Sequence, residues 1–417
     1  MGVLRVTIIF VIDMGENSSS EPGMLTTLAL FAANFGVTPT QLVITLFLLD
    51  IAETFGAPAG VVGQVQTLSS AVAVVVALLT GMLTVRFRPR TLLIIGISSI
   101  GVSALGCFFS VNFGMLLVAY AFSGLGMAMA MPMNMTLVAE LYPSERRTGV
   151  LGVINTGMTM GYLVGPPIVN YIAGIGGWRA PMVYYVLPIT VISLLLVIRG
   201  VPKAKEQLVQ RSGVGLLDGF RGVLKVRSAV WCLAAAAIMM FSWQFLALYS
   251  ISFYRERFLI STGMASLVLL TMSVCTTLGN LVVGGAVRRY GRRRIAVVSS
   301  VICTVFLVGF AVVPSFWLSL AVRLLTGLAG PFAYTASSSL ALEMVPSFRG
   351  VMMSLNSAAF QMGTSLGAAV GGAMLLSYSY EMVGVALGVF MFVPAVIYQF
   401  LIRDPESRGD DPATPAS

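Results

Sequence analysis

The sequence predicts an all-α integral membrane protein, with twelve transmembrane helices in two pseudo-symmetric six-helix bundles. Three observations predict it: a composition too apolar for water, a succession of apolar runs each long enough to span a bilayer, and loop signatures that recur in both halves. Of 417 residues, 57% are apolar and 10% charged, and the mean hydropathy is +0.93. A soluble domain is roughly 25% charged, so this chain lacks the charge to coat a surface in water. A span needs about 20 apolar residues, and twelve spans with short connections account for most of the length.

The elements follow from where glycine, proline and charge interrupt the apolar runs. Residues 1–23 are expected to be a disordered tail, because Val6 to Ile12 is too short to span and polar residues follow to Gly23, which makes Met24 an alternative start. A first bundle, 24–200, holds spans near 25–49, 60–84, 91–111, 114–140, 149–174 and 180–199. Arginines 86, 88 and 90 part the second from the third, Arg146 and Arg147 the fourth from the fifth, and Arg179 the fifth from the sixth. Residues 201–228 are basic, with Lys203, Lys205, Arg211, Arg221, Lys225 and Arg227, while Leu216, Leu217, Phe220, Val223 and Leu224 share one helical face. That is the pattern of an amphipathic linker on a bilayer surface. A second bundle, 229–402, holds spans near 229–253, 264–287, 294–313, 315–342, 350–376 and 382–402. Residues 403–417 are charged and proline-rich, the composition of a second disordered tail.

Once the spans are placed, the positive charges fall on one side. One set of loops carries Arg86, Arg88, Arg90, Arg146, Arg147, the linker, Arg288, Arg289, Arg292, Arg293, Arg294 and Arg349, and the opposite set carries only Arg179, Arg255 and Arg257. The positive-inside rule then places both termini in the cytoplasm of a multi-pass plasma-membrane protein. The net charge of +9 is a topology signal, so nucleic acid is not an expected partner. With no histidine in the chain, Ser-His-Asp triads, H-E-x-x-H zinc sites and histidine relays are excluded. The lysines, at 203, 205 and 225, form no G-K-[ST] phosphate loop. Cys107, Cys232, Cys275 and Cys303 stand singly in apolar runs and read as small core residues. No cofactor and no metal site are expected.

The two halves repeat. Gly81 to Arg90 follows the second span as Gly284 to Arg293 follows the eighth; Glu140-Leu-Tyr-Pro143-Ser-Glu-Arg-Arg147 ends the fourth as Glu343-Met-Val-Pro346-Ser-Phe-Arg349 ends the tenth. Gly161, Gly165 and Pro166 in the fifth span are matched by Gly363, Gly367, Gly371 and Gly372 in the eleventh. A duplicated six-helix unit is a mark of many secondary transporters. From about Met24 to Arg403 the chain resembles the major facilitator superfamily, whose loop motif is similar to G-x-L-x-D-R-x-G-R-R. Gly291, Arg292 and Arg293 are kept, the aspartate is replaced by Val85 and Arg288, and the family's fourth-span arginine is Tyr120 here, whereas the tenth span keeps Arg323. The resemblance implies a cytoplasmic charge lock of Arg86, Arg90, Arg147, Arg289, Gly291, Arg292 and Arg349, whose acidic half is either lost or supplied by Glu140 and Glu343. Gly152, Gly161, Gly165 and Pro166 resemble the antiporter motif of the family's drug and metabolite exporters, except that Val169-Asn170 replaces the final glycine pair. Any packed membrane helix uses such glycines too.

A substrate site in such folds lies near the midplane, where polar side chains are costly. At 1.5 Å per residue Arg323 lies roughly 12 Å inside the tenth span, and Gln244 and Gln41 reach a similar level. Arg323, Gln244, Trp243, Gln41 and Asn34 are therefore the substrate-site candidates. A structural arginine satisfied by carbonyls is the competing reading of Arg323, and packing is that of Trp243 and the span amides. No carboxylate is evident within the spans to neutralise Arg323: either Asp50, at the end of the first span, acts as counterion and proton carrier, or a substrate anion does. The expected function is export of a small organic solute, drug or metabolite, by alternating access, by a monomer coupled to protons. A proton-independent facilitator, an organic-anion transporter, a membrane sensor and a membrane enzyme are the alternatives, the last disfavoured because the carboxylates are scattered singly.

Overall fold

The computed structural model describes residues 23–202, 216–345 and 348–402. Among them the regular structure is entirely helical. In chain order the long helices are α1 (Met24–Val37, Pro39–Leu46 and Leu48–Phe55), α2 (Ala59–Val62 and Gln64–Arg86), α3 (Pro89–Phe108), α4 (Phe113–Leu141), α5 (Ser144–Gly176) and α6 (Met182–Val186 and Leu187–Gly200). Then follow α7 (Arg227–Gln244, Phe245–Tyr249 and Ser250–Arg257), α8 (Thr262–Tyr290), α9 (Arg292–Val312), α10 (Phe316–Met344), α11 (Arg349–Met374) and α12 (Tyr380–Phe390 and Phe392–Phe400). Ten of these are long and apolar enough to cross a membrane on composition alone. The other two, α5 and α11, run for 33 and 26 residues. At about 1.5 Å per residue both exceed the ~30 Å of a hydrocarbon core. Their glycines, amides and hydroxyls lower their hydropathy, and several of these face neighbouring helices rather than lipid, as shown below. The twelve-helix, all-α membrane fold expected from the sequence is the one the chain adopts.

Several spans expected to be continuous are divided, α1 and α7 among them. In α1, Pro39 has no N–H to give the preceding turn and starts a new segment, and Phe47 (φ −109°, ψ 21°) ends it. The last segment stops at Gly56, whose left-handed φ of 59° suits a residue without a Cβ. In α7 the break is a π-helical turn, Phe245–Tyr249. The helix ends just before Leu259, which takes φ 51°.

The chain forms two compact units. The first comprises Met1–Pro58, Leu68–Val209 and Ser261–Leu270, and the second Ala59–Thr67, Gln210–Ile260 and Thr271–Ser417. Within the first, α1 packs on α5 and α6, and α3 on α4; within the second, α7 packs on α11 and α12, and α9 on α10. The same pairing occurs twice, as an internal repeat requires. The first turns of α2 belong to the second unit, where a Cβ on Gly60 would lie 2.1 Å from the carbonyl oxygen of Gly372 and Gln64 Nε2 donates to Ala369 O at 3.2 Å.

The linker supplies one helix, Leu216–Lys225. Its Val223 is fully buried in a core cluster with Ala229, Met344 and Met352, and Gly222 lies against the Phe348 ring. Part of the apolar face thus packs on protein, whereas Leu224 is exposed. The two expected tails and the start of the linker lie outside the described residues.

Candidate functional site

Helix α10 carries Arg323 in its second turn, and only 6% of the residue is exposed. The π turn of α7 supplies its main-chain partner: Leu246 O accepts from Arg323 Nη2 at a long 3.5 Å and from Ser250 Oγ. A π turn shifts the ladder from i→i+4 to i→i+5, which gives side chains access to main-chain carbonyls. The guanidinium carbon lies 6.0 Å from the centroid of Trp243, within the outer range of a cation–π contact. The indole in turn fills a slot left by Gly330, where a Cβ would come within 2.3 Å of the ring. Residues 323 and 330 are two turns apart on one face of α10, so this face holds both the charge and the aromatic wall. The buried Nε has no hydrogen-bond partner, and no ion pair is found for Arg323 among the described residues.

Gln244 is buried, and its Nε2 lacks a partner. It does not share the face of Trp243, because its Cβ is set against Gly367 of α11. Of the candidates in this unit the structure brings Arg323 and Trp243 together, and Gln244 stands on a neighbouring side of α7.

In the first unit the polar candidates are already paired. Asn34 Nδ2 donates to Ile154 O at 3.2 Å, and its Oδ1 accepts from Asn134 Nδ2 at 2.7 Å. Gln41 Oε1 accepts from the Tyr162 hydroxyl at 2.9 Å. These bonds tie α1 to α4 and α5, at roughly 1 kcal/mol or less each. Asp50 is half-buried in the first turn of the last α1 segment, where a helix N-terminus favours a negative charge.

Several of the arginines expected to form a charge lock donate to main-chain oxygens. Arg90 Nη2 donates to Ile198 O at the end of α6. In the other half Arg293 Nε donates to Tyr398 O at 2.9 Å and its Nη2 to Gln399 O, at the end of α12. Both satisfy carbonyls that a helix C-terminus leaves free. Arg292 Nη1 reaches Ser339 O on α10 at 3.3 Å, Arg147 Nε reaches Tyr142 O at 2.9 Å, and Arg289 lies over the Tyr290 ring. Gly291 takes φ 80°, which lets the chain reverse between α8 and α9. Glu140 ends α4 exposed and Glu343 ends α10 half-buried. The side chains of Arg86 and Arg349 lie outside the described residues.

The glycine motif of α5 is a packing surface. A Cβ on Gly161 would stand 2.0 Å from Thr38 Oγ1, and one on Gly165 would stand 2.4 Å from Leu42 Cδ1, both on α1. Gly363 and Gly367 of α11 meet Ala237 O and Phe241 O of α7 at 2.0 and 2.4 Å by the same measure. The shared pattern shows these glycines serving close helix packing in both halves. Gly152 faces open space, and Pro166 lies inside α5. Sequence alone signalled none of the long-range partners, Leu246 O, Gly330, Tyr162 or the helix ends, because each comes from a different helix.

Comparison with known proteins agrees with this architecture. Over 162 residues the chain is 29% identical to an uncharacterised MFS-type transporter of Mycobacterium tuberculosis, Rv1250, a match over 37% of this chain and 28% of that protein's length. Among solved structures, the D-xylose–proton symporter superposes with a TM-score of 0.78 at 15% identity, covering 91% of this chain and 98% of that one. A bacterial homologue of the human lysosomal transporter Spinster, in an inward-facing and unoccupied conformation, gives 0.73 at 16%, covering 93% and 98%. The nucleoside transporter NupG gives 0.72 at 15%, covering 91% and 99%. At these identities the likeness concerns the fold. The sequence profile of the Major Facilitator Superfamily, however, matches residues 24–266 and 244–416, and the chain belongs to that superfamily, a family of transporters and not of enzymes.

Proposed function

We propose that this protein is a secondary active transporter that exports a small organic solute across the plasma membrane by alternating access, coupled to protons, as a monomer with both termini cytoplasmic. The observation that carries the proposal is Arg323, a nearly buried cation in a span with an unpaired Nε. Such a charge costs several kcal/mol unless something answers it. Trp243 beside it supplies an aromatic wall, and Gln244, Gln41 and Asn34 are the proposed polar complement. Export rests on the resemblance of Gly152 to Pro166 to an antiporter motif, and orientation rests on the one-sided arginines. Asp50 is the proposed proton carrier, a half-buried carboxylate near the end of α1.

In this scheme Glu140 and Glu343, with the arginines near them in sequence, close the cytoplasmic side when the site opens outward. Neutralising either, as Glu140→Gln or Glu343→Gln, is expected to shift the population toward inward-open. Cysteine-accessibility labelling that detected no shift in either variant would remove this part of the scheme.

The direct test is reconstitution into vesicles loaded with a pH-sensitive dye and challenged with a solute panel. Substrate-dependent proton movement is expected, lost in Arg323→Ala together with flux. In Asp50→Asn, flux should persist without proton movement. Unchanged flux and unchanged proton movement in both variants would discard the assignment of these residues, and flux of every substrate without proton movement in the native protein would make it a facilitator.

A further inference from the structure

The surroundings of Arg323 specify a charge. The residue is 6% exposed, and its guanidinium holds Leu246 O at a long 3.5 Å and keeps a buried Nε with no partner. A structural arginine in lipid normally fills its donors with carbonyls or acids. This one has main-chain help from a single direction. Packing does not demand a cation here either. The equivalent place in the first half is Tyr120, at the same spacing of 203 residues that separates Glu140 from Glu343 (323 − 120 and 343 − 140), and it is buried without formal charge.

Next to the charge the helices are also less tightly apposed than in the first half. One turn on from Tyr120, a Cβ on Gly124 would strike Ser69 O at 1.9 Å, so α4 lies hard against α2. One turn on from Arg323, a Cβ on Gly327 would meet Thr276, Cys275 and Met272 at 3.5 to 3.6 Å, ordinary contact distances. The repeat has kept the glycine and relaxed the approach on the side where the arginine stands.

From these observations we propose that Arg323 binds the head group of an organic monocarboxylate, and that the exported solute is an amphipathic organic anion whose apolar body lies on Trp243. This rests on the reading of the Arg323 region as the substrate site. One guanidinium matches one carboxylate, since its planar fork can donate two parallel hydrogen bonds. The contacts of the guanidinium among the described residues, the Leu246 carbonyl and the Trp243 ring, include no second cation. A doubly charged phosphate would therefore be left half neutralised. The indole, half-buried and seated over Gly330, suits a flat or aliphatic body next to the head.

The test uses the purified full-length chain at pH 7 and a panel of acetate, octanoate, benzoate and indole-3-acetate, each paired with its neutral amide. Saturable binding, read by calorimetry and by quenching of tryptophan fluorescence, is expected for the larger acids, with their amides at least tenfold weaker. Arg323→Gln should lower acid affinity at least tenfold and erase the preference for acid over amide. Arg323→Lys should fall between, because the charge remains and the fork is lost. Thermal unfolding of each variant establishes that it is folded, and if Arg323→Gln is not, the acid-to-amide ratio in Arg323→Lys decides. Binding of amides as tight as acids, unchanged acid binding in a folded Arg323→Gln, or no binding of any acid overturns the proposal. Vesicle flux separates the two levels of inference. Acids that bind through Arg323 but never cross would sink the transport reading and leave the anion site, whereas flux of neutral solutes with no acid binding would do the reverse.

Discussion

Helices α4 and α10 descend from the same position of a repeated unit and have diverged in chemistry more than in place. Tyr120 and Arg323 correspond, as do Gly124 and Gly327, each pair 203 residues apart (323 − 120, 327 − 124). In the first unit the tyrosine is 2% exposed, the glycine allows α2 and α4 to touch, and further along α4 the amides Asn34 and Asn134 bond one another. In the second unit a cation replaces the tyrosine, the glycine contact loosens, and Arg323 Nε, Gln244 Nε2 and Asn356 Oδ1 are buried without partners. Buried polar atoms without partners occur in the first unit too, Arg90 Nε, Ser103 Oγ and Asn134 Oδ1 among them, so what sets the second copy apart is the cation in place of the tyrosine and the looser contact at the glycine.

The largest difference between the copies is expected at those two glycines. Gly124→Ala sets a methyl against a main-chain oxygen that cannot move aside, and about 3 kcal/mol of destabilisation is expected. Gly327→Ala, with room for its methyl and a gain in helix propensity, should be neutral or stabilising by up to about 1 kcal/mol. Unfolding midpoints in detergent check both, and equal losses would break the comparison. Next come Gly363→Ala and Gly161→Ala. The former meets the backbone of Ala237, so about 2 kcal/mol is expected. The latter meets the Thr38 hydroxyl, which bonds Phe35 O and can rotate away for the loss of about 1 kcal/mol. Adding Thr38→Ala to Gly161→Ala should therefore cost little more than either change alone.

A third contrast lies where the first helix of each half ends. Gly56 and Leu259 correspond (259 − 56 = 203), and both are left-handed, at φ 59° and 51°. That conformation costs a residue with a Cβ roughly 1–2 kcal/mol, so Leu259→Gly is expected to raise the unfolding midpoint and Gly56→Leu to lower it. The smallest effect concerns the ends of the bundles. Arg257 pairs with Glu381 at 3.1 Å with side chains 24% and 38% exposed, whereas Arg179 uses Ser110 O and the faces of Trp178 and Phe55. Glu381→Gln should cost about 0.5 kcal/mol at low salt and almost nothing at 1 M salt. A cost independent of salt would show that Glu381 does something other than pair.

Fold and site were not equally legible. The twelve helices could be read because hydrocarbon forces every spanning backbone to bond internally, leaving helix and apolar length as the signal. Arg323 could be read for the same reason: a charge in an apolar run is conspicuous. Its surroundings could not. Trp243 meets it only because Gly330 admits the indole, and Leu246 O is presented by a π turn for which periodicity has no signature. The arginines of the basic loops illustrate the opposite limit. Their positions stand out in sequence, but the carbonyls of Ile198 and Tyr398 that receive Arg90 and Arg293 lie about a hundred residues away.

Both opening helices of the repeat are interrupted at nearly the same point of the repeated unit, α1 at Phe47 and α7 between Phe245 and Tyr249. Each interruption divides its helix into two segments, with Asp50 on the far segment of one copy and Tyr254 on that of the other, and a sharp change of direction in a helix is concentrated at such a place. Strain from an occupant lodged beside Arg323 would be felt first at the interruption in α7, since the oxygen steadying the guanidinium belongs to it.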